Sequence, residues 1–359
     1  MSVPRPAVLL AACLIAVQSV AAQNYRVVKE IPIGGPGGWD YIAVDTSHDR
    51  LYVSHSTHVV VIDLKKDSVI GDIANTPGVH GTAFAPEFNR GFTTNGADTS
   101  VTIFNLTTLA EIARVKVTGR NPDALWYDPV TKRVFTFNHS GGNATAIDAA
   151  TGTVVGTIPL KGTAVEAGVS DARGHVFVNI EDSNEIIEFD GRSLAVLHTW
   201  SIAPCGAPTG LAIDRKTNRL FAGCAENSMI VVVDAATGKV TTTIPAGAGI
   251  DAVAFDPATN TVFSSNGGGG SMTVAHQDGA DTYTVVATVP TRPRSRTMTI
   301  DPKTHKAYMA FAAYQAPPPM DSAAAAAAAA AVAAGGRGRG RGLQMVPNSF
   351  GVLVLDIIK

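Results

Sequence analysis

The stretch LYVSHSTHVVVID, residues 51–63, contains two short apolar segments separated by the polar residues Ser56 and Thr57. The first segment carries an aromatic residue, and the second is rich in β-branched valine and isoleucine. Both features favour strands, because branched and aromatic side chains pack well on a pleated sheet. The stretch therefore predicts an antiparallel hairpin, and similar stretches recur along the chain.

An aromatic residue stands at the equivalent position of seven such segments, at spacings of 40 to 45 residues. A period of that length in β-type sequence is typical of a propeller, in which each repeat folds into one four-stranded blade. The seven aromatic residues are Tyr52, Phe92, Phe135, Phe177, Phe221, Phe263 and Tyr308.

The aromatic positions form one repeating register along the sequence. The β-branched segments form a second, because each ends in a polar residue suited to a turn. These residues are Asp63, Asn105, Asp148, Asp190, Asp234, His276 and Asp356. Helical periodicity of about 3.6 residues is nearly absent from the chain. Two matching sevenfold registers predict an all-β protein, namely a seven-bladed β-propeller with four-stranded blades.

The two ends of the sequence predict how the ring closes. The last repeat stops at Lys359 without an outer strand, whereas a spare β-type segment, residues 25–33, stands near the start. We expect this N-terminal strand to complete the last blade, because ring closure removes exposed strand edges. Residues 23–359 then form a single propeller domain, with a low-complexity insertion at 312–349 in the last blade.

Residues 1–22 have the pattern of a secretory signal peptide. Arg5 precedes a short apolar run, and small residues lead to a cleavage point expected after Ala22. The pattern predicts a periplasmic or secreted protein with no transmembrane segment after signal removal. A lipoprotein modified at Cys13 is the alternative that this segment leaves open.

Two cysteines, Cys205 and Cys224, remain after that removal. The repeat register places one before the first strand of the fifth blade and the other at the end of its second strand. A down-and-up hairpin brings these positions to the same face of the ring. Proximity and an oxidising compartment together predict a disulfide. A metal-binding cysteine pair or a reactive thiol is the alternative.

Polar residues recur where each repeat enters its first strand, next to one mouth of the central channel. A strand start that served only for packing would carry an apolar residue. Because polar residues recur there instead, we regard this ring of residues as a candidate ligand-binding site. The residues are Asp40, His80, Asp123, Glu166, Thr209, Asp251 and Arg296. Rim candidates, from loops that open on the same face, are His55, His139, Asp182 and Asn266.

Such a ring would suit a cation, an amine or a sugar-like polyol, and its crowded carboxylates would raise one another's pKa. The alternative is a water-filled channel whose carboxylates cap turns. No cofactor is predicted, although the carboxylates and the imidazole leave room for a divalent cation at the mouth.

The aromatic register also carries a family resemblance. Tyr52-Val53-Ser54-His55 and Phe92-Thr93-Thr94-Asn95 look like degenerate copies of a Tyr-Val-Thr-Asn repeat. The chain thus resembles the bacterial YVTN β-propeller family, which includes the YncE-like exported proteins. The resemblance implies a secreted seven-bladed propeller but defines no activity or catalytic residues.

Two classes of function follow from these observations. We expect an exported binding or scaffold protein, a monomer, whose mouth takes a small polar ligand or an envelope protein partner. The alternative is a metal-assisted hydrolase or lyase with a layout similar to propeller lactonases. Nucleic-acid binding is not expected, because the net charge of the chain is only −2 and no basic surface with interleaved aromatic residues is evident.

Overall fold

The computed structural model describes residues 25–316 and 343–357. Its strands form seven four-stranded antiparallel sheets and one two-stranded sheet. The seven larger sheets are the blades of a β-propeller, which confirms the architecture predicted from the two registers. The expected signal peptide, with its cleavage point at Ala22 and with Cys13, lies outside the described residues, as does most of the expected insertion.

Within each of the first six blades, four consecutive strands pair in chain order, from the channel outward. Strands are numbered along the chain from β1, Tyr25–Pro32. The first three blades contain β2 Ile42–Asp45, β3 Arg50–His55, β4 His58–Asp63 and β5 Ser68–Ile73; β6 Val79–Ala85, β7 Arg90–Asn95, β8 Ser100–Asn105 and β9 Glu111–Lys116; and β10 Pro122–Asp128, β11 Arg133–Asn138, β12 Asn143–Asp148 and β13 Val154–Pro159.

Blades four to six repeat the arrangement. Their strands are β14 Val165–Ser170, β15 His175–Ile180, β16 Glu185–Asp190 and β17 Val196–Ser201; β18 Pro208–Asp214, β19 Arg219–Cys224, β20 Met229–Asp234 and β21 Val240–Pro245; and β22 Ile250–Asp256, β23 Thr261–Asn266, β24 Ser271–Gly279 and β25 Thr282–Pro290. Two short 3₁₀ helices, Pro86–Phe88 and His139–Gly141, lie in connecting loops.

The seventh blade joins the two ends of the chain. Its strands are β26 Arg296–Ile300, β27 Ala307–Phe311, β30 Gly351–Ile357 and, outermost, β1. Strand β1 pairs antiparallel with β30, from Tyr25 opposite Ile357 to Pro32 opposite Gly351. The prediction that the N-terminal strand closes the ring is therefore confirmed.

The expected insertion leaves the blade between its second and third strands. Its described ends form a small hairpin of β28 Tyr314–Gln315 and β29 Gln344–Met345. The alanine-rich and Arg-Gly stretches between these two strands lie outside the described residues.

The second register corresponds to side-chain-capped turns in five blades. The Asp63 carboxylate, for example, accepts hydrogen bonds from the N–H groups of Lys65 and Lys66, at 2.9 and 3.0 Å. Asn105, Asp148, Asp190 and Asp234 accept equivalent bonds. The sixth blade differs, because β24 continues to Gly279 and so passes the expected turn residue His276.

The core consists of seven apolar clusters, one between each pair of adjacent blades. All seven aromatic residues of the register are at most 2% exposed. Tyr52 packs in the cluster between blades one and two, and Tyr308 packs in the cluster between blades seven and one. The aromatic repeat thus supplies the packing that holds neighbouring blades together.

Candidate functional site

The structure places all seven mouth candidates at the same end of the channel. Six of them are the first or second residue of an innermost strand, as in β6, β10, β14, β18, β22 and β26. The seventh, Asp40, lies two residues before β2. Its backbone is held by a hydrogen bond from its N–H to Ser54 Oγ at 2.8 Å and by one from Thr297 Oγ1 to its carbonyl at 2.7 Å.

A local irregularity separates these residues from the regular ladder. In five of the six strands, the mouth residue lies inside a register shift of the pairing with the next strand, for instance between Pro122 and Leu125 or between Val165 and Gly168. In β26 the shift follows directly after Arg296. A bulge of this kind bends the strand and redirects a side chain. In these six blades the repeated bulge therefore frees one side chain from the sheet at the channel mouth.

Five of the polar residues form a continuous row across blades one to four, which we call the acid–imidazole row: Asp40, His80, Asp123, His139 and Glu166. His80 Nδ1 lies 2.6 Å from Asp40 Oδ2 and 3.3 Å from Asp123 Oδ1. His139 Nδ1 lies 3.8 Å from Asp123 Oδ2 and 3.1 Å from Glu166 Oε1. Each imidazole thus stands between two carboxylates.

Asp123 is the centre of this row and is only 8% exposed. Its Oδ1 atom is buried without a hydrogen-bond partner among the described residues, and so is Nδ1 of His139. The neighbouring charges are close enough for ion pairing, but the angles do not make hydrogen bonds. Buried polar atoms are normally satisfied by hydrogen bonds, so these two atoms are exceptions to the usual pattern.

Tyr41 joins the site, although no sequence pattern predicted a role for it. Its hydroxyl donates a hydrogen bond to Glu166 Oε2 at 3.3 Å. Tyr41 belongs to blade one and Glu166 to blade four, so the ring reaches across the channel. The same side chain lines a cavity of about 450 Å³ inside the channel, between the innermost strands of the seven blades. Tyr41 therefore separates the polar mouth from a less polar interior.

The other three mouth candidates make a different set of contacts. Arg296 lies 3.5 Å from Asp251 as an ion pair and donates a hydrogen bond to the Trp39 carbonyl at 3.1 Å. Thr209 Oγ1 donates to the Ile250 carbonyl at 3.0 Å. Asp251 keeps one buried oxygen, Oδ2, without a hydrogen-bond partner in the described part of the chain.

Of the four rim candidates, His139 joins the acid–imidazole row. It begins the 3₁₀ helix His139–Gly141, and its N–H donates to the Asn121 carbonyl at 2.9 Å. The structure does not bring the other three to the row. His55 packs on Phe350 with ring centroids 4.4 Å apart, Asp182 accepts hydrogen bonds from Thr163, and Asn266 is buried in a network with Ser264, Ser271 and Thr273.

Burial and crowding shift the pKa of several of these groups. Burial, and then the charge of Asp40, raises the pKa of Asp123 to about 8. Burial also raises the pKa of Asp251 to about 6, against the opposing charge of Arg296. Burial disfavours the charged form of His80, but the hydrogen bond with Asp40 and the charge of Asp123 raise its pKa to about 9. Contact with Glu166 outweighs burial and raises the pKa of His139 to about 9.

These shifts predict that, without bound ligands, the protein loses stability as the pH rises from about 6.5 to about 9. Both histidines have folded pKa values of about 9, above the ordinary 6.5, so the folded state holds protons that the unfolded state has released. Their stabilising effect is complete below pH 6.5 and is lost as the pH passes 9. Asp123, whose pKa is raised to about 8, acts in the same direction.

The expected loss is about 1–3 kcal/mol in the free energy of unfolding, measured by urea unfolding at several pH values. His55 has a lowered pKa and therefore affects stability only at lower pH. The double variant His80→Gln, His139→Gln should show a much flatter profile. A wild-type stability that is constant or rising over this interval would contradict the prediction.

The predicted disulfide is present in the structure. Cys205 and Cys224 are bonded, with their Cα atoms 5.2 Å apart. Cys224 ends β19 and lies opposite Pro208 at the start of β18. The bridge thus fixes the loop that enters the fifth blade at the same end of the channel as the acid–imidazole row.

Comparisons with known proteins identify the fold but no family. No protein-family model matches the chain, and no curated protein matches it. Among solved structures, the chain is similar to one in the structure titled "Crystal Structure of Mitotic Checkpoint Complex", with a TM-score of 0.69 and 15% identity over 86% of this chain and 96% of that one. At this identity the likeness shows a shared propeller fold alone. The YVTN resemblance stays a prediction.

Among the described residues, no helix has the length and apolar character needed to cross a membrane. The disulfide is a separate observation, and it is compatible with a periplasmic or extracellular protein.

Proposed function

We propose that this protein is an exported β-propeller that binds a small polar ligand, or a group presented by an envelope protein partner, at the acid–imidazole row. The observation that carries the proposal is Asp123, a buried carboxylate that lies between two imidazoles and has an unpartnered oxygen. Burying such a group has a cost that a bound ligand would offset.

The distribution of charge supports a ligand with cationic or hydrogen-bond-donating groups. Glu181 lies close enough to the row for Glu166 and His139 to affect its pKa, which burial raises. Asp251 faces the same centre, and its charge is partly balanced by Arg296. Carboxylates therefore outnumber the cations at the mouth, and they accept hydrogen bonds but do not donate them when ionised.

Export is supported by two observations of different kinds. The disulfide is the form that cysteines take in an oxidising compartment. The sequence of residues 1–22 has the order of charged, apolar and small residues that is expected of a secretory signal.

The variants Asp123→Asn and Glu166→Gln test the proposal directly. We expect each to weaken the binding of any ligand found in a thermal-shift screen of amines, polyols and cations by at least about tenfold, because a charge-assisted contact is lost. Titration calorimetry measures the change in affinity. Circular dichroism should show an unchanged fold, because both substitutions keep the size of the side chain.

Glu185→Gln provides a matched control. Glu185 begins β16 at the same end of the molecule, and its carboxylate accepts a hydrogen bond from Ser183 at 2.7 Å, away from the row. This variant should bind like the wild type. If Asp123→Asn and Glu166→Gln bind every ligand as tightly as Glu185→Gln does, the mouth is not the binding site.

A further inference from the structure

The acid–imidazole row divides into two overlapping sets of metal-ligand atoms. Asp40, His80 and Asp123 form one set, and Asp123, His139 and Glu166 form the other, with the ligand atoms in each set within 4.8 Å of one another. Asp123 belongs to both sets. Each set offers one imidazole nitrogen and two carboxylate oxygens.

The two oxygens of Asp123 face different histidines. Oδ1 lies 3.3 Å from His80 Nδ1, and Oδ2 lies 3.8 Å from His139 Nδ1. A carboxylate in this position can bind one ion with each oxygen. Metal pairs held this way in proteins are about 3.5–4 Å apart.

From this geometry we propose that the mouth binds two divalent transition-metal ions, bridged by Asp123. The first ion is held by Asp40, His80 and Asp123, and the second by Asp123, His139 and Glu166. The inference deepens the proposed function, on which it rests, by assigning the ligand of the acid–imidazole row to a chemical class.

The separations between donor atoms suit this arrangement. Bonds from a metal to nitrogen or oxygen of about 2.0–2.2 Å place neighbouring ligand atoms about 3 Å or more apart. His139 Nδ1 lies 3.1 Å from Glu166 Oε1, and the two distances to Asp123 are slightly longer. The contact between His80 and Asp40, at 2.6 Å, is a hydrogen bond. Binding of the first ion must therefore displace the proton of that bond into solvent.

The competing explanation for the row is that its protonated histidines and its carboxylates satisfy one another, with no bound ion. In that case each buried donor and acceptor of the row would be paired by a hydrogen bond. Asp123 Oδ1 instead has no such partner among the residues that the structure describes, and His139 Nδ1 makes only an ion-pair contact with Glu166, at 3.1 Å. Both atoms are ligands in the proposed site, so metal binding would satisfy both.

The scaffold around the row is suited to hold two ions. His80, Asp123 and Glu166 lie on innermost strands of three successive blades, each inside the bulge of its strand. The hydroxyl of Tyr41 donates to Glu166 Oε2 and so orients that carboxylate from outside the ligand set. Supporting hydrogen bonds of this kind commonly fix metal ligands.

The donor set also narrows the choice of ion. Imidazole and carboxylate ligands suit Mn²⁺, Fe²⁺, Co²⁺ and Zn²⁺, whereas Ca²⁺ prefers a shell made only of oxygen. Neither cysteine of the described residues takes part, since Cys205 and Cys224 are bonded to each other. We therefore expect first-row transition metals to bind more tightly than Ca²⁺ or Mg²⁺.

The stoichiometry is the first test. The purified, disulfide-bonded protein is freed of metal with a chelator and then titrated separately with Mn²⁺, Co²⁺ and Zn²⁺ in a calorimeter. We expect two ions per chain for at least one of these metals, and electron paramagnetic resonance of the Mn²⁺ form should show a spin-coupled pair. Saturation at one ion per chain, or no binding at millimolar metal, would overturn the proposal.

Substitutions then separate the two ions. His80→Gln should leave one ion bound, and His139→Gln should leave the other, with the spin coupling lost in both. Asp123→Asn should weaken both ions by about 100-fold or more, because they share this ligand. The control Glu185→Gln should retain two ions and the coupled signal. Equal metal binding by Asp123→Asn and Glu185→Gln would disprove the bridge.

The outcome for the metals is distinct from the outcome for the proposed function. If no metal binds, but an amine or polyol stabilises the protein and loses affinity in Asp123→Asn, then the metal inference fails and the mouth remains a binding site. If neither metals nor organic ligands distinguish Asp123→Asn from Glu185→Gln, both proposals fail.

Discussion

Replacing Ile31 with alanine is expected to lower the free energy of unfolding by about 2–5 kcal/mol, the usual range for emptying a buried aliphatic site. Ile31 belongs to β1, and its side chain is 2% exposed. It packs in the cluster between blades seven and one, next to Phe350 and Val352. The substitution leaves a cavity where the N-terminal strand closes the ring.

The same strand offers a matched control. Val28 lies in the middle of β1 with 47% of its side chain exposed, so Val28→Ala should change stability by only about 0.5 kcal/mol or less. Chemical denaturation of the two variants beside the wild type measures the difference. Equal effects of the two substitutions would show that β1 is not a tightly packed part of the seventh blade.

Removing residues 25–32 altogether should have a larger effect still. Strand β30 would lose its outer partner and become an exposed edge, which favours association with other chains. Tyr25, whose ring packs edge-on against Phe263 at 5.3 Å, would be lost from the cluster between blades six and seven. We expect a markedly lower melting temperature and concentration-dependent aggregation, measured by light scattering.

Breaking the disulfide has the second large expected effect. The double variant Cys205→Ser, Cys224→Ser should lose about 3 kcal/mol of stability, because the bridge closes a loop with a sequence separation of 19. The effect arises mainly in the unfolded chain, whose conformational freedom the bridge restricts. Urea unfolding under oxidising conditions measures it.

Reduction of the wild type provides the internal comparison. With a reductant present, the wild type should unfold at nearly the same urea concentration as the double variant, while the double variant should not respond to the reductant. A wild type that is insensitive to complete reduction would contradict a stabilising role for the bridge. Ligand binding should change little, because neither cysteine belongs to the acid–imidazole row.

The sequence predicts the local elements of this fold well, because each blade repeats the same short-range chemistry. An aromatic residue such as Phe92 must be buried between blades, and an aspartate such as Asp63 caps its own turn two and three residues later. The burial of the aromatic residue and the capping of the turn each depend on residues within a single repeat. His276 departs from the pattern because its strand continues past the expected turn.

The site was predictable only as a set of positions. Alignment of the repeats places Asp123 and Glu166 at equivalent points, but it does not show that His139 stands between their carboxylates. His139 comes from a loop, and its place depends on a short 3₁₀ helix. Tyr41 carried no repeat signal at all, since its partner Glu166 lies three blades away.

The sequence by itself determined the number of blades, the strand that closes the ring, and the cysteine pair, since periodic burial and turn chemistry are written in neighbouring residues. Only the tertiary structure decided which polar side chains meet at the mouth. Their distances depend on the closure of the whole ring and on the bulge that redirects six of the seven innermost strands. Contacts between residues 40 to 125 positions apart, such as His80 with Asp40 or Tyr41 with Glu166, follow from that geometry alone.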